Sequence, residues 1–117
     1  MALIVQKYGG TSMGSVERIE HVASKVAKFR AEGHQVVVVV SAMSGETDRL
    51  LKMAKSINPR GSAREFDQIA STGEQVTIGL LALALEKAGV KARSYTGPQV
   101  AIRTDTSHMK ARIQSID

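Results

Sequence analysis

Leu3-Ile4-Val5-Gln6-Lys7-Tyr8-Gly9-Gly10-Thr11-Ser12 runs from an apolar, β-branched stretch into a pair of glycines and small hydroxyl residues. Such a run reads as a short strand that opens into a turn. Ser15 is then placed to cap a helix whose apolar positions are Val16, Ile19, Val22, Ala23, Val26 and Phe29, the spacing of one helical face. Gly33 stands where such a helix ends. Val36-Val37-Val38-Val39-Val40 follows with no alternation of polarity, which predicts a strand covered on both faces, as a central strand of a parallel sheet is. Strand, helix and strand in that order imply a right-handed crossover and parallel pairing.

Downstream, Thr47 or a neighbour starts a second helix carrying Leu50, Leu51, Ala54 and Ile57, which Asn58-Pro59-Arg60-Gly61 interrupts. Ser62-Ala63-Arg64-Glu65 and Thr72-Gly73-Glu74-Gln75 both have capping-box spacing, so two helices are expected to meet at a break near residues 71–73. The later one, from about residue 73 to 88, is apolar over most of its circumference through Val76, Ile78, Leu80, Leu81, Leu83 and Leu85, and is expected to be buried or partly a subunit contact. Gly89 ends it. Residues 90–95 read as a third strand, Gly97-Pro98 as a turn and Val100-Ala101-Ile102 as a fourth, short strand; residues 106–117 carry the weakest pattern.

The expected fold class is therefore α/β, a three-layer sandwich with a mainly parallel sheet. No repeat, low-complexity tract or charge block divides the chain. Three main strands leave an open edge, and nothing follows to cover the third, so the domain is expected to be incomplete and to continue past Asp117.

With 117 residues, 43% of them hydrophobic, the chain has enough apolar material for one core. The absence of cysteine excludes a disulfide scaffold, a thiolate metal site and a cysteine nucleophile. The start lacks the basic and apolar regions of a secretory signal, and residues 78–85 are too short a run for a membrane span, so a cytoplasmic protein without a membrane partner is expected. A net charge of +5 favours anionic partners. Nucleic acid is not expected among them: the basic residues are scattered beside acids, and at 3% aromatic content there is no stacking platform for bases. His21, His34 and His108 show no ligand spacing and read as surface residues, and Met13, Met43, Met53 and Met109 as packing residues, with no metal site expected.

Ligands of open α/β sheets bind beyond the carboxyl ends of the strands, here residues 7–14, 41–48 and 95–99. In the first of these, Gly9-Gly10-Thr11-Ser12 joins strand to helix, letting backbone N–H groups approach an anion closely. It is not a Walker loop, because the lysine precedes the glycines and no Gly-Lys-Ser/Thr follows, nor is it a dinucleotide fingerprint. A glycine pair after a strand is also a common structural turn. Lys7 has two readings: an edge lysine that keeps its charge in water, or a cation that neutralises a transferring phosphoryl group.

Lys7-Tyr8-Gly9-Gly10-Thr11-Ser12 resembles the opening motif of the aspartate kinases, within the amino-acid kinase fold. Val40-Ser41-Ala42-Met43-Ser44-Gly45-Glu46-Thr47 is similar to the loop after that family's second strand, Ser71-Thr72-Gly73-Glu74-Gln75 to its glutamate segment, and Ser94-Tyr95-Thr96-Gly97 also fits. The likeness runs in order across essentially the whole chain. It implies that Lys7, Tyr8, Gly9, Gly10 and Ser41 contact ATP, that Gly45, Glu46, Thr47 and Glu74 surround L-aspartate, and that Lys7 is catalytic.

The implied reaction is ATP-dependent phosphorylation of the aspartate side chain to 4-phospho-L-aspartate, the first step toward lysine, threonine and methionine, with magnesium carried largely on the nucleotide. It also implies a homo- or hetero-oligomeric parent, a later kinase half and an ACT regulatory domain absent from these residues, and little activity in these 117 residues alone. A non-catalytic binding module and another amino-acid kinase are the alternatives.

Residue by residue, Glu74 is either an acid that favours a helix amino terminus or the group that binds the substrate ammonium. Thr47 can cap a helix and hold a substrate carboxylate with the same donors. Ser41, Ser44 and Gly45 can equally be loop formers.

Overall fold

The computed structural model describes residues 1–116. Its first unit is a strand β1 (Leu3–Tyr8), a helix α1 (Val16–Ala31) and a strand β2 (Gln35–Val40) that lies parallel to β1, with Leu3 opposite Gln35 and Tyr8 opposite Val40. The local signals explain α1 at both ends. Ser15 Oγ accepts the Arg18 N–H at 3.2 Å, and Gly33, at φ 92°, lets its own N–H reach Arg30 O and the His34 N–H reach Phe29 O. That closure satisfies two of the carbonyls that a helix end leaves open.

Two more helices follow, α2 (Glu46–Ile57) and α3 (Ala63–Lys87), then a short 3-10 turn (Pro98–Val100) and a hairpin of β3 (Ile102–Thr104) and β4 (Ile113–Ile116). The core is one cluster: Ile19, Val22, Ala23 and Val26 of α1 meet Leu81 and Leu85 of α3, with Met13 beneath the first loop and Tyr8, Val36, Val38 and Val40 packed from the sheet. Full burial of each large aliphatic side chain contributes about 1.5–3 kcal/mol, so this cluster is what holds α1 and α3 on the sheet.

The architecture is α/β with a parallel sheet, small and partial. Alternate residues of both strands face the helices, while Leu3, Val5, Val37 and Val39 line the opposite face, 65%, 66%, 48% and 48% exposed. The five valines are thus covered on one face only among the described residues. The shortest dimension, 17 Å, fits one sheet and one helical layer of about 10–12 Å, with the third layer of the expected sandwich not present there.

Several expectations differ. No break separates two helices near residue 73, since α3 runs through it. Ser71 and Thr72 donate their hydroxyls back to Gln68 O and Ile69 O inside the helix, and Gly73 answers a tertiary need described below. Ser62 stands at the N-cap position without a side-chain cap bond, and Glu65 pairs with Arg64 at 2.8 Å. The apolar circumference of the later helix resolves into one buried stripe, Gly73, Thr77, Leu81 and Leu85, with Val76 and Leu83 exposed.

Residues 90–95 form no strand. Val90 and Ala92 pack on the core while Lys91 and Arg93 stay exposed, so the alternation is real, but no neighbouring strand supplies a ladder. Val100 lies in the 3-10 turn and Ala101 is left-handed at φ 57°, which delays the next strand to Ile102; that strand pairs antiparallel with β4. Met53 and Met109 are exposed rather than packed. His34 and His108 are half-buried with hydrogen-bond partners, Ala2 N at 3.2 Å and Asp67 Oδ2 at 3.2 Å.

Candidate functional site

At the carboxyl ends of β1 and β2 the chain leaves a groove of about 460 Å³. Three segments build it: Gly10 and Thr11 after β1; residues 41–45 after β2, continuing into Thr47 and Asp48 of α2; and Glu74 from α3. Each wall is fixed by a local device. In the first loop Met13 N donates to Gly10 O at 3.1 Å and Gly14 N to Thr11 O at 3.3 Å, while the fully buried Met13 anchors the turn in the core.

The second loop begins where Ser41 N donates to Tyr8 O at 3.2 Å and closes where Glu46 N donates to Met43 O at 2.9 Å. Gly45 then enters α2 at φ 79°, a conformation that a residue with a Cβ adopts only under strain. The two loops abut: a Cβ on Gly10 would lie 3.3 Å from Ala42 O.

Gly73 brings the third wall in. A Cβ there would stand 2.9 Å from the Ala42 Cβ, closer than carbon atoms pack, so only glycine lets α3 approach the second loop this far. The neighbouring residue, Glu74, is thereby delivered to the groove. Below it Thr77, fully buried, donates its hydroxyl to Gly73 O at 3.1 Å, so its polar atom is satisfied within the helix.

The groove can hold both ends of a small zwitterion. Gly45 offers α2 no side-chain cap; Glu46 N–H is taken by Met43 O, and the Thr47 and Asp48 amides of the first turn are left for an outside acceptor, the usual condition for anion binding at a helix start. Asp48 and Glu74 supply negative charge for a cation on the other side. Glu46 is engaged elsewhere: Arg49 Nε donates to its Oε2 at 3.0 Å, and this bond holds the Glu46 carboxyl below its ordinary pKa while raising that of Arg49.

Of the residues singled out from the sequence, Gly10, Ser41, Gly45, Thr47 and Glu74 meet in this groove. Lys7, Tyr8, Gly9 and Glu46 do not line it. Lys7 follows Leu3 and Val5 on the open face of the sheet and is exposed. Tyr8, one residue on, is half-buried, packs against the core and donates its hydroxyl to Gln6 Oε1 at 3.0 Å. Gly9 is exposed with open space where a Cβ would be.

Thr47 is the second residue of α2, not its cap. Ser44, open from the sequence between loop former and site residue, lines the groove, and Thr11, Ala42, Met43 and Asp48 are lining residues that the sequence did not single out. All lie in the two strand-end stretches, which was the available signal. A second, smaller cleft between α1 and α3 is apolar, and its charged groups, Glu20 and Lys87, pair with each other at 3.8 Å. It offers no chemistry. Among the described residues no three His, Asp or Glu side chains gather as a metal site, and no helix is long and apolar enough to cross a membrane.

The sequence profile of the Amino acid kinase family matches residues 2–116. An aspartate kinase of Stutzerimonas stutzeri is 66% identical over 117 residues, covering 100% of this chain and 28% of the relative. An aspartokinase of Pseudomonas aeruginosa is 65% identical over the same length and coverage. The chain thus spans 28% of the length of these curated relatives.

Among solved structures, the aspartate kinase from Synechocystis superposes with a TM-score of 0.81 at 52% identity, over 84% of this chain and 17% of that one. E. coli aspartokinase III, solved with aspartate and ADP in its R-state, superposes at 0.79 over 95% of this chain and 34% of that one; at 18% identity it speaks to the fold alone.

Proposed function

The chain belongs to the amino acid kinase family, and on that premise we propose that it is the amino-terminal part of the kinase domain of an aspartate kinase, a cytoplasmic, oligomeric enzyme of amino-acid biosynthesis. The observation that carries this reading is the groove itself, where Gly10 and Ser41 from the strand ends meet Gly45, Thr47 and Glu74 from the two helices. Support comes also from the identity to aspartate kinases along the whole chain.

L-aspartate lies in the groove with its ammonium against Glu74 and its α-carboxylate at the start of α2, held by Thr47 and the first-turn amides. ATP approaches over Gly9 and Gly10, whose absent side chains let the backbone come close, and over Ser41, whose hydroxyl can hydrogen-bond a phosphate or ribose oxygen. The side-chain carboxylate of aspartate has an ordinary pKa of about 3.9 and is already ionised at neutral pH, so the nucleophile needs no base.

One carboxylate oxygen forms a bond to the γ-phosphorus as the bond from that phosphorus to the β–γ bridging oxygen breaks. The electron pair leaves with ADP, and no proton is transferred. The task is therefore to align two anions and offset their repulsion. Lys7, exposed at the end of β1, supplies a positive charge for the phosphoryl oxygens. Magnesium accompanies the nucleotide phosphates as part of the substrate.

The test is a coupled ADP-release assay on the intact parent and on the isolated 117 residues. Aspartate-dependent turnover by the parent and little by the isolated chain is expected. Turnover of the parent with glutamate but not aspartate overturns the substrate, and robust turnover by the isolated chain overturns its assignment as part of a site.

A further inference from the structure

Glycine loses more conformational freedom on folding than any other residue, so the Gly9-Gly10 loop needs contacts that hold it in one shape. Its backbone shows which. Gly10 O accepts the Met13 N–H at 3.1 Å, and Thr11 O accepts two donors, Gly14 N at 3.3 Å and Arg18 Nη1 at 3.3 Å. Both lone pairs of the Thr11 carbonyl are thus engaged at the start of α1. In a trans peptide the N–H points opposite to the C=O, so the amides of Thr11 and Ser12 point away from these donors. Among the described residues nothing accepts from either amide.

Arg18 is out of place by the local rules of a helix. Ser15 caps α1 by accepting the Arg18 N–H, which puts Arg18 where glutamate or glutamine closes a capping box and where the helix dipole disfavours a cation. A residue that breaks a local rule answers a need elsewhere, and here that need is the Thr11 carbonyl. Gly14 makes the contact possible. A Cβ there would lie 3.2 Å from Thr11 O and 3.7 Å from Arg18 Cδ, in the space where the two meet. Gly14 is not in the left-handed region, so this close approach, not a turn, is what the glycine serves.

We propose that Arg18 is a positioning residue for the nucleotide: with Gly14 it holds the Thr11 carbonyl back, so that the amides of Thr11 and Ser12 meet the phosphates. Its role rests on the proposed aspartate kinase reaction, in which ATP approaches over Gly9 and Gly10. Arg18 does not line the groove, whereas Thr11 does, so the arginine acts through the loop. A carbonyl oxygen carries partial negative charge and repels a phosphate oxygen; an amide N–H in the same place donates to it. The guanidinium opposes the rotation of the Thr11–Ser12 peptide that would exchange one for the other. Aspartate, placed at the start of α2 and Glu74, is held by other segments, so the clamp acts on one substrate only.

Steady-state ADP release by the intact parent tests this, with R18M and G14A. R18M keeps an unbranched side chain and loses the donor, while G14A crowds the same carbonyl without changing any charge. Each is expected to raise the KM for ATP about tenfold, the loss of one charge-assisted hydrogen bond, with the KM for aspartate unchanged. The Tm of R18M is expected to stay as it was. An unchanged KM for ATP in R18M, or an equal rise for both substrates, overturns the positioning role. A rise in R18M that G14A does not share overturns the action through Thr11, because Arg18 then touches the nucleotide itself. A parent without aspartate-dependent turnover overturns the reaction and the role together; a parent that turns over aspartate equally well as R18M overturns the role of Arg18 alone.

Discussion

Replacing Gly73 by alanine tests whether the groove is set by the distance between α3 and the second loop. The new Cβ would stand 2.9 Å from the Ala42 Cβ, with Glu46 Cγ and Leu50 Cδ1 at 3.7 Å behind it. Carbon atoms pack best near 3.5–4.0 Å, so the helix and loop must separate by roughly 0.5–1 Å. Ala42 is buried and its backbone oxygen faces Gly10, so the loop has little room to yield.

Overpacking of this kind costs about 1–3 kcal/mol. The gain in helix propensity from glycine to alanine, about 1 kcal/mol, offsets part of it. The expected net loss is about 1 kcal/mol, a fall in Tm of roughly 4 °C for a chain of this size. Gly79 is the internal control, because it lies in the same helix with nothing within 4 Å of its would-be Cβ. G79A should instead raise Tm by a similar amount.

The double variant G73A/A42G removes the clashing methyl, and a double-mutant cycle should show a coupling of about 1 kcal/mol or more. In the intact enzyme G73A should raise the KM for aspartate more than that for ATP, since Glu74 moves with the helix. Equal stabilisation by G73A and G79A, or no coupling to Ala42, would refute the close approach as the reason for this glycine.

K7M in the intact enzyme should lower kcat by about a hundredfold or more while leaving Tm unchanged, since Lys7 is exposed and its charge, not its packing, is used; steady-state ADP release and a melting curve check both halves. E74Q should raise the KM for aspartate by about 10- to 100-fold, the loss of one charge-assisted hydrogen bond, with ATP affinity nearly constant in the same assay. Glu46 has a depressed pKa because of its bond to Arg49, so the stabilisation it gives the first turn of α2 is present above the ordinary value of 4.5 and is lost as pH falls below it. Exchange protection of α2 amides between pH 6 and about pH 3 should show that loss, and R49M should flatten it.

The β1–α1–β2 unit was legible because its signals are chemical and local. A serine that caps, a glycine that turns left-handed and a run of valines each act within a few residues of themselves. Gly73 misled for the opposite reason. Its purpose is an approach to Ala42, far away in sequence, and a glycine between Thr72 and Glu74 looks locally like a helix boundary. Residues 90–95 have the alternation of a strand, but a strand also needs a neighbour with open backbone groups, which no local pattern supplies.

In the site, strand parity was available and decisive. If Lys7 faces away from the helices then Tyr8 must face them, and its side chain is committed to the core. Asp48 was passed over although it lies in the second strand-end stretch, because nothing in the sequence says that the first turn of α2 and Glu74 share a wall.

That parity also bears on how charge is divided in the proposed reaction. The groove carries Asp48 and Glu74; the Arg49 guanidinium is matched by Glu46, and Arg18 Nη1 donates to the backbone oxygen of the lining residue Thr11 at 3.3 Å. A lysine placed inside such a groove would pair with Glu74 and cancel the charge that an ammonium needs. Lys7 sits instead on the open face of the sheet, one residue before the turn that leads into the groove. In the proposed reaction its positive charge would be available to phosphate at the strand end and kept from the acids proposed to hold the amino acid. The alternation of a single strand would then keep the two charges apart, so that each proposed substrate meets the sign it requires.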